Sequence, residues 1–331
     1  MNEYELIRKI ASKFPRAKNQ GNKIFGCDAE LLKIDNQWWG LTIDEFSPEE
    51  DLFTSESPEV LGANLAVATL SDLMAARAKP EFFLQALSLP RNVETSFIQG
   101  ITSGIRQVLS EAGCFLCGGD TGNSESWRFC GFAMGKIVDN KPLTHRLFKT
   151  TQSLWVTGTL GDANFAALQK TPTPRFESRM KEVKFIWKYG TACIDTSGGL
   201  MDALWILHTQ NPFLRFEIDL DAIPIAAGIS DFSNTANIPR EAFFLGGAGE
   251  YELLFATSAH LNKNILDELR TSNITKIGTS KPRSKPGVFF IRNEKIIGKM
   301  KTAPPCPRKA KNVAEHIQEV LSMAQNIFPT V

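Results

Sequence analysis

An α+β fold made of two α/β units is what this sequence predicts, on three observations. Its 331 residues are enough for two cores of ordinary size. Short apolar runs alternate with longer runs at helical spacing, in the order β-β-α-β-α-β-β, which suits helices laid on one face of a sheet. A second strand, Gly-rich turn and helix, "SLWVTGTLGDANFAAL", then opens near residue 151. The expected division is residues 1–150, residues 151–305 and a tail helix within 306–331.

Taken in order, residues 1–14 place Tyr4, Ile7, Ile10 and Phe14 at helical spacing and lack the apolar core of a secretory signal. Residues 23–46 read as two strands joined at Asp35-Asn36-Gln37. Residues 58–77 read as a helix with Pro58 in its first turn and an alanine-rich side suited to close packing on a sheet. "EFFLQALSL" (81–89) is a buried strand. Residues 93–112 are an amphipathic helix stopped by Gly113. "CFLCGGDTG" (114–122) runs from strand into turn, and 128–138 is a strand. In the second half, 175–190 and 197–209 read as helices, 214–220 as a strand and 246–256 as a Gly-rich turn feeding a strand. Residues 279–287 read as a loop, 288–299 as a hairpin turning at Asn293-Glu294, and 312–328 as an amphipathic helix.

Bulk charge narrows the partners. Lys and Arg number 37 against 36 Asp and Glu, a net charge of +1, so no broad field draws nucleic acid or an acidic membrane. The short basic run 307–312 reads as a solvated helix start. No stretch reaches the roughly 20 apolar residues of a membrane helix. Six cysteines in this length are too sparse for a disulfide scaffold, which fits a reducing cytoplasm.

The chemistry lies in aspartates that follow apolar runs: Asp28, Asp44, Asp72, Asp120 and Asp195. Each is carried to the edge of a buried layer, where unpaired carboxylates are costly and several together call for a cation. Oxygen ligands gathered in this way suit Mg²⁺ with phosphate oxygens completing its shell. Gly118-Gly119 can expose backbone N–H groups to an anion. Gly158 and Gly161 suit either a phosphate at a helix N-terminus or close helix–strand packing. No Walker A loop occurs, and no G-x-G-x-x-G follows a first strand.

These residues fall in a recognisable order. The chain resembles thiamine-monophosphate kinase, within the superfamily of aminoimidazole ribonucleotide synthetase, selenophosphate synthetase and the hydrogenase maturation factor HypE. The family's "GDDAA-L" is similar to "GCDAELL" (26–32), and its "TTD-LVEG-HF" to "TIDEFSPEEDLF" (42–53). Its "K-LAVNLSDLAAMGA-P" is similar to "GANLAVATLSDLMAARAKP" (62–80). "GGDT" stands at 118–121, "VTGTLGD" at 156–162 and "P-PR" at 172–175. "DISDGL" appears as "DTSGGL" (195–200), and "GG-DYELLF" as "GGAGEYELLF" (246–255). The resemblance implies an N-terminal sheet that forms a barrel with a second copy, making a homodimer. ATP and Mg²⁺ would bind between the two units. Asp28, Asp44, Asp72 and Asp120 would be metal ligands. Gly118, Gly119, Asp120, Thr121 and Arg146 would hold phosphates. Asp120, Arg146 and Asp195 would serve in-line phosphoryl transfer to a substrate phosphate, with positioning and charge neutralisation doing the catalysis.

The departures are specific. Cys27 stands where the family has the first aspartate of "GDD", and Gly198 where it has the aspartate of "SDG". Thr69 and Asn64 replace an asparagine and a lysine, Asp51 falls at the histidine of "EG-HF", and Gly249-Glu250 reduces an acidic pair. Two lost carboxylates imply one fewer metal ion and leave two further readings open: a nucleotide-binding paralogue with weak or no kinase activity, and a synthetase-type enzyme acting on another substrate. Cys27 is either a reactive thiol or a plain substitution. Cys114 and Cys117 lack a second pair at zinc spacing and read as buried thiols under the Gly-Gly turn. The four histidines share no ligand spacing, and none is assigned.

Overall fold

The computed structural model describes residues 3–49, 57–306, 310 and 313–328. Helix α1 (Glu3–Ala11) leads into a sheet made of β1 (Glu30–Ile34), β2 (Gln37–Phe46), β3 (Ala78–Leu89), β4 (Phe115–Asn123) and β5 (Arg128–Ile137). Their order across the sheet is β1-β2-β5-β3-β4, with only β3 and β4 parallel. Asp35 and Asn36 form the β1–β2 turn, both at positive φ, as a two-residue hairpin requires.

Helices α2 (Pro58–Ala75) and α3 (Thr95–Ala112) cover one face of this sheet. Ser57 caps α2 and Pro58 opens it. The alanine-rich sequence of α2 is explained by its surroundings, for it is buried on nearly every side. Where it crosses α3, a side chain on Gly62 would strike the backbone of Ile101, and one on Gly104 the backbone of Glu59. The other face of the sheet is open. Ile43 is 68% exposed and Phe115 70%, and Phe82 and Leu84 are exposed with them.

A second sheet comprises β6 (Gln152–Thr157), β7 (Gly190–Asp195), β8 (Leu214–Asp219), β9 (Leu253–Ser258), β10 (Ile274–Pro282), β11 (Gly287–Arg292) and β12 (Lys295–Lys299). Its order is β12-β11-β8-β10-β6-β9-β7. The helices of this half are α4 (Asp162–Gln169), α5 (Glu182–Tyr189), α6 (Gly199–Gln210), α7 (Ile229–Ala236), α8 (Glu241–Leu245), α9 (Lys263–Arg270) and α10 (Val313–Ile327). One face of the sheet packs on α6 and α8, and Val320, Met323, Ala324 and Ile327 of α10 join that core. The other face, through Trp155, Cys193 and Phe255, continues into the core that holds α2 and α5. Trp187 of α5 donates its indole N–H to the Met74 carbonyl of α2 at 2.9 Å.

The mixed α+β, two-sheet architecture agrees with the sequence, with local corrections. Residues 175–181 are not helical; Asn64 of α2 ties the start of this segment at the Pro174 carbonyl and the Phe176 N–H, and the helix begins only at Glu182. Residues 279–282, expected in a loop, extend β10 between β6 and β8. "GGDT" is no turn: Gly118–Thr121 continue β4 as an extended edge strand. Among the described residues no helix is long and apolar enough to cross a membrane.

Candidate functional site

The two halves meet at a knot of carboxylates. Asp72 lies in the last turns of α2, Asp195 ends β7, and Asp28 sits in the bend before β1. One carboxylate oxygen from each lies within 4.8 Å of the others. Asp44 joins from β2, on the helix-facing side with buried Thr42 and Phe46. Burial, then the charges of Asp44, Asp195 and Asp28, push the Asp72 carboxyl well above its ordinary value. Burial, then Asp28, pushes Asp195 up to about 6.

The protein supports these groups with hydrogen bonds. Ser71 Oγ stands 2.6 Å from Asp195 Oδ2, and Thr42 donates its hydroxyl to Asp72 Oδ2. The Ser197 N–H donates to Asp195 Oδ1 at 3.1 Å, and the Asp195 N–H donates to Asp28 Oδ2 at 3.2 Å. Oxygen-only donors this close, from three separate elements, fit a hard divalent cation such as Mg²⁺, whose charge would relieve their mutual repulsion.

Other expected site residues lie elsewhere. Asp120 is exposed on β4 and accepts a hydrogen bond from the Thr121 N–H at 2.9 Å. Sheet register puts Asp120 in one row with Ala86, Cys130 and Glu45, while Asp44 shares the next row with Gly131, Gln85 and Gly119. Adjacent rows face opposite sides of a sheet. Asp120 therefore points to the open face, three strands and about 14 Å across from Asp44. Within one chain, Asp120 and Gly118–Thr121 do not join the carboxylate knot. Nor does Arg146. It is exposed and lines a cavity of about 660 Å³ with Lys23, Lys149 and Phe213.

The family departures have structural reasons. Cys27 is buried and its thiol donates to the Leu143 carbonyl at 3.3 Å. Burial raises it well above the ordinary thiol value, so it is an inert thiol facing the core. Cys114 is buried as expected, but Cys117 is exposed. A Cβ on Gly198 would lie 2.6 Å from Asp202 Oδ2, so the next turn of α6 places a carboxylate where a side chain at 198 would begin. A side chain on Gly249 would strike the Thr196 and Ser197 carbonyls. Thr69 spends its hydroxyl on the Leu65 carbonyl of its own helix. Asn64 donates to the Pro174 carbonyl at 2.9 Å and accepts from the Phe176 N–H at 2.8 Å, tying α2 to the second half. Asp51 lies outside the described residues, as does most of the basic run 307–312.

One participant in the centre, His145, and the structural roles of two nearby glutamates escaped the sequence reading. His145 is buried with Nε2 2.9 Å from Asp28 Oδ1. Burial alone would lower its imidazole, but the Asp28 carboxylate holds it above its ordinary value. Its only sequence signal is its place beside Arg146, one step out of phase in an extended segment. The glutamates are Glu250 and Glu252. Glu250 accepts the Gly161 N–H at 2.9 Å and the Ala163 N–H at 3.2 Å, filling the N-terminus of α4. Glu252 pairs with Arg179, whose Nε lies 2.6 Å away, and accepts the Thr157 hydroxyl. That pair occupies the space a side chain on Gly158 would need. The Gly158–Gly161 turn therefore serves internal packing.

With this geometry in view, comparisons with known proteins are informative. Residues 26–137 match the family described as AIR synthase related protein, N-terminal domain. That match spans the first sheet together with α2 and α3. The thiamine-monophosphate kinase of Archaeoglobus fulgidus is 28% identical over 282 residues, covering 78% of this chain and 86% of that one. The kinase of Pyrococcus horikoshii is 26% identical, covering 89% and 93%. Among solved structures, AaThiL complexed with AMPPCP and TMP superposes with a TM-score of 0.74 at 23% identity, covering 91% of this chain and 96% of that one. The HypE–HypF complex gives a TM-score of 0.73 at 15% identity, covering 91% and 99%. Both share the fold described above.

Proposed function

We propose that this chain transfers the γ-phosphoryl group of ATP to thiamine monophosphate, giving thiamine diphosphate and ADP. The observation that carries the reading is the Asp28–Asp72–Asp195 centre, in which Asp195 is buried and the other two are partly so, in a chain whose relatives over most of their length are thiamine-monophosphate kinases. A phosphate oxygen of the acceptor attacks the γ-phosphorus, and the bond to the β-phosphate oxygen breaks. The acceptor is already anionic at neutral pH, so no strong general base is needed. Magnesium, when bound, would supply positive charge against the phosphates. Asp28, Asp72 and Asp195, with Asp44 behind Asp72, would hold it. The protein's own work is to fix these oxygens before substrate arrives, through Ser71, Thr42 and the backbone N–H groups of Asp195 and Ser197.

The partner is a second copy of this chain in the cytoplasm. The open face of the first sheet carries Ile43, Phe82, Leu84 and Phe115 side by side, an apolar surface that suits a self-complementary interface. Asp120 and Arg146 belong to the reading in a modified form. Asp120 stands on that same face, from which it would serve the partner's centre. Arg146 would meet phosphate from its cavity on the far side of the segment that carries His145.

A coupled assay of thiamine-phosphate-dependent ADP formation, with calorimetry of Mg-ATP binding, tests the reaction. Tight binding without turnover would favour the nucleotide-binding paralogue instead. Mixing Asp72→Ala chains with Asp120→Ala chains tests the shared site. If each centre takes Asp72 from one copy and Asp120 from the other, exchange rebuilds one good site per mixed dimer and recovers about a quarter of wild-type activity. No recovery would remove Asp120 from the centre.

A further inference from the structure

We propose that His145 is the positioning residue of the carboxylate centre, holding Asp28 in the orientation that lets it face Asp72 and Asp195. This rests on reading that centre as a divalent-cation site. The support lies in how completely the imidazole is committed. Its Nδ1 is 2.7 Å from the Phe25 carbonyl, an acceptor only, so that nitrogen carries hydrogen and donates. A carboxylate oxygen accepts, so Nε2, 2.9 Å from Asp28 Oδ1, donates there as well. The His145 backbone N–H donates to the Gly26 carbonyl at 2.9 Å. One residue thus grips three successive points of the 25–28 segment, and it does so where Phe25 holds a left-handed φ of 59°, unusual for a bulky side chain.

The grip is itself anchored. The His145 carbonyl accepts from Asn211 Nδ2 at 2.7 Å, and Asn211 Oδ1 accepts the Leu147 N–H at 2.9 Å. A line of buried hydrogen bonds therefore runs from the end of α6 through His145 to Asp28, and on through Asp28 Oδ2 to the Asp195 N–H. Asp28 lies in an irregular bend, not in a strand or helix, so nothing else in its own segment fixes the carboxylate. Asp72 and Asp195, carried by α2 and at the end of β7, are braced instead by the Thr42 and Ser71 hydroxyls and the Ser197 N–H. Partners of this kind fix ligand orientation in metal sites, and their loss typically costs about 10- to 100-fold in metal affinity.

Two substitutions separate a role through Asp28 from a merely structural one. Gln can place an N–H₂ near the position of Nε2, and Asn near that of Nδ1. The probe is Mn²⁺, titrated into the full-length protein and followed by electron paramagnetic resonance, with thermal unfolding of each variant alongside. His145→Gln should bind Mn²⁺ within about threefold of wild type, and His145→Asn at least about tenfold more weakly. Equal affinities, or the reverse order, would overturn the proposal. If His145→Asn does not fold, wild-type protein with labelled histidine decides by nuclear magnetic resonance. Mn²⁺ should broaden the His145 ring signals before those of His208, His260 and His316, and broadening of the others first would overturn it. Wild type that takes up no Mn²⁺ would sink the cation-site reading together with this inference. Uptake that His145 variants leave unchanged would sink this inference alone.

Discussion

The molecule buries two sets of carboxylates about one sheet, and it treats them in opposite ways. Near α4, two buried acids are answered from within: Glu252 by Arg179 and the Thr157 hydroxyl, Glu250 by two N–H groups at a helix N-terminus. At the meeting of the halves, Asp28, Asp72 and Asp195 are brought within 4.8 Å with hydroxyl and N–H support and a single imidazole. The first set is self-sufficient and holds the fold. The second keeps an excess of negative charge, which only something from outside can neutralise. Burial does not separate function from structure here; the residual charge does.

The largest expected effect follows from that residual charge. Asp72→Asn should lower Mg-ATP affinity and turnover by at least about a hundredfold while making the metal-free protein more stable, by about 1 kcal/mol, because repulsion is removed. Calorimetry and urea unfolding in chelator measure both. Lower stability together with unchanged Mg-ATP binding would mean that the two sets are alike after all.

Next comes the converse at the other set. Arg179→Met leaves Glu252 buried without its partner and should cost about 3–5 kcal/mol in urea unfolding. Mn²⁺ affinity should stay close to wild type, since Glu252 takes no part in the aspartate centre. Adding Glu252→Gln should restore much of the loss. A metal-affinity defect as large as the stability defect would merge the two regions into one site.

Acidity separates them more finely. Burial pushes Glu250 up to about 8 in the folded chain from an ordinary value of 4.5. The folded state therefore keeps a proton between those values that the unfolded state has released. Its contribution to stability is fully present below about pH 4.5 and lost as pH rises towards 8, with a slope of at most about 1.4 kcal/mol per pH unit. Glu250→Gln should flatten that decline, as read from urea midpoints across the range. An unchanged slope would place the titration elsewhere.

What the sequence disclosed divides along similar lines. Asp28, Asp72 and Asp195 were legible because each ends an apolar run, and apolar runs become the buried elements that carry their last residues to a common edge. The hairpin turns at Asp35-Asn36 and Asn293-Glu294 were legible for the local reason that their residues accept positive φ. The strand character of Gly118–Thr121 was not, because glycine signals a turn until β3 supplies a partner to pair with. His145 and Arg179 were invisible for a different reason. Their partners lie 117 and 73 residues away, and no local pattern encodes a hydrogen bond of that span.

The smallest expected effect concerns a position that looks like a lost ligand. Gly198 invites repair to aspartate, but Asp202 Oδ2 already stands 2.6 Å from where its Cβ would be, and Asp202 Cβ stands 2.9 Å away. An added side chain must displace the existing carboxylate, and two acids would then compete for one space. Gly198→Asp should therefore lower Mg-ATP affinity by less than about tenfold and cost about 1–3 kcal/mol through crowding. Asp202→Asn combined with Gly198→Asp should recover part of the loss by relieving the repulsion. A gain in affinity from Gly198→Asp alone would show that the centre does lack a carboxylate. The charge left unanswered between the two halves would then be smaller than a productive phosphoryl-transfer site requires.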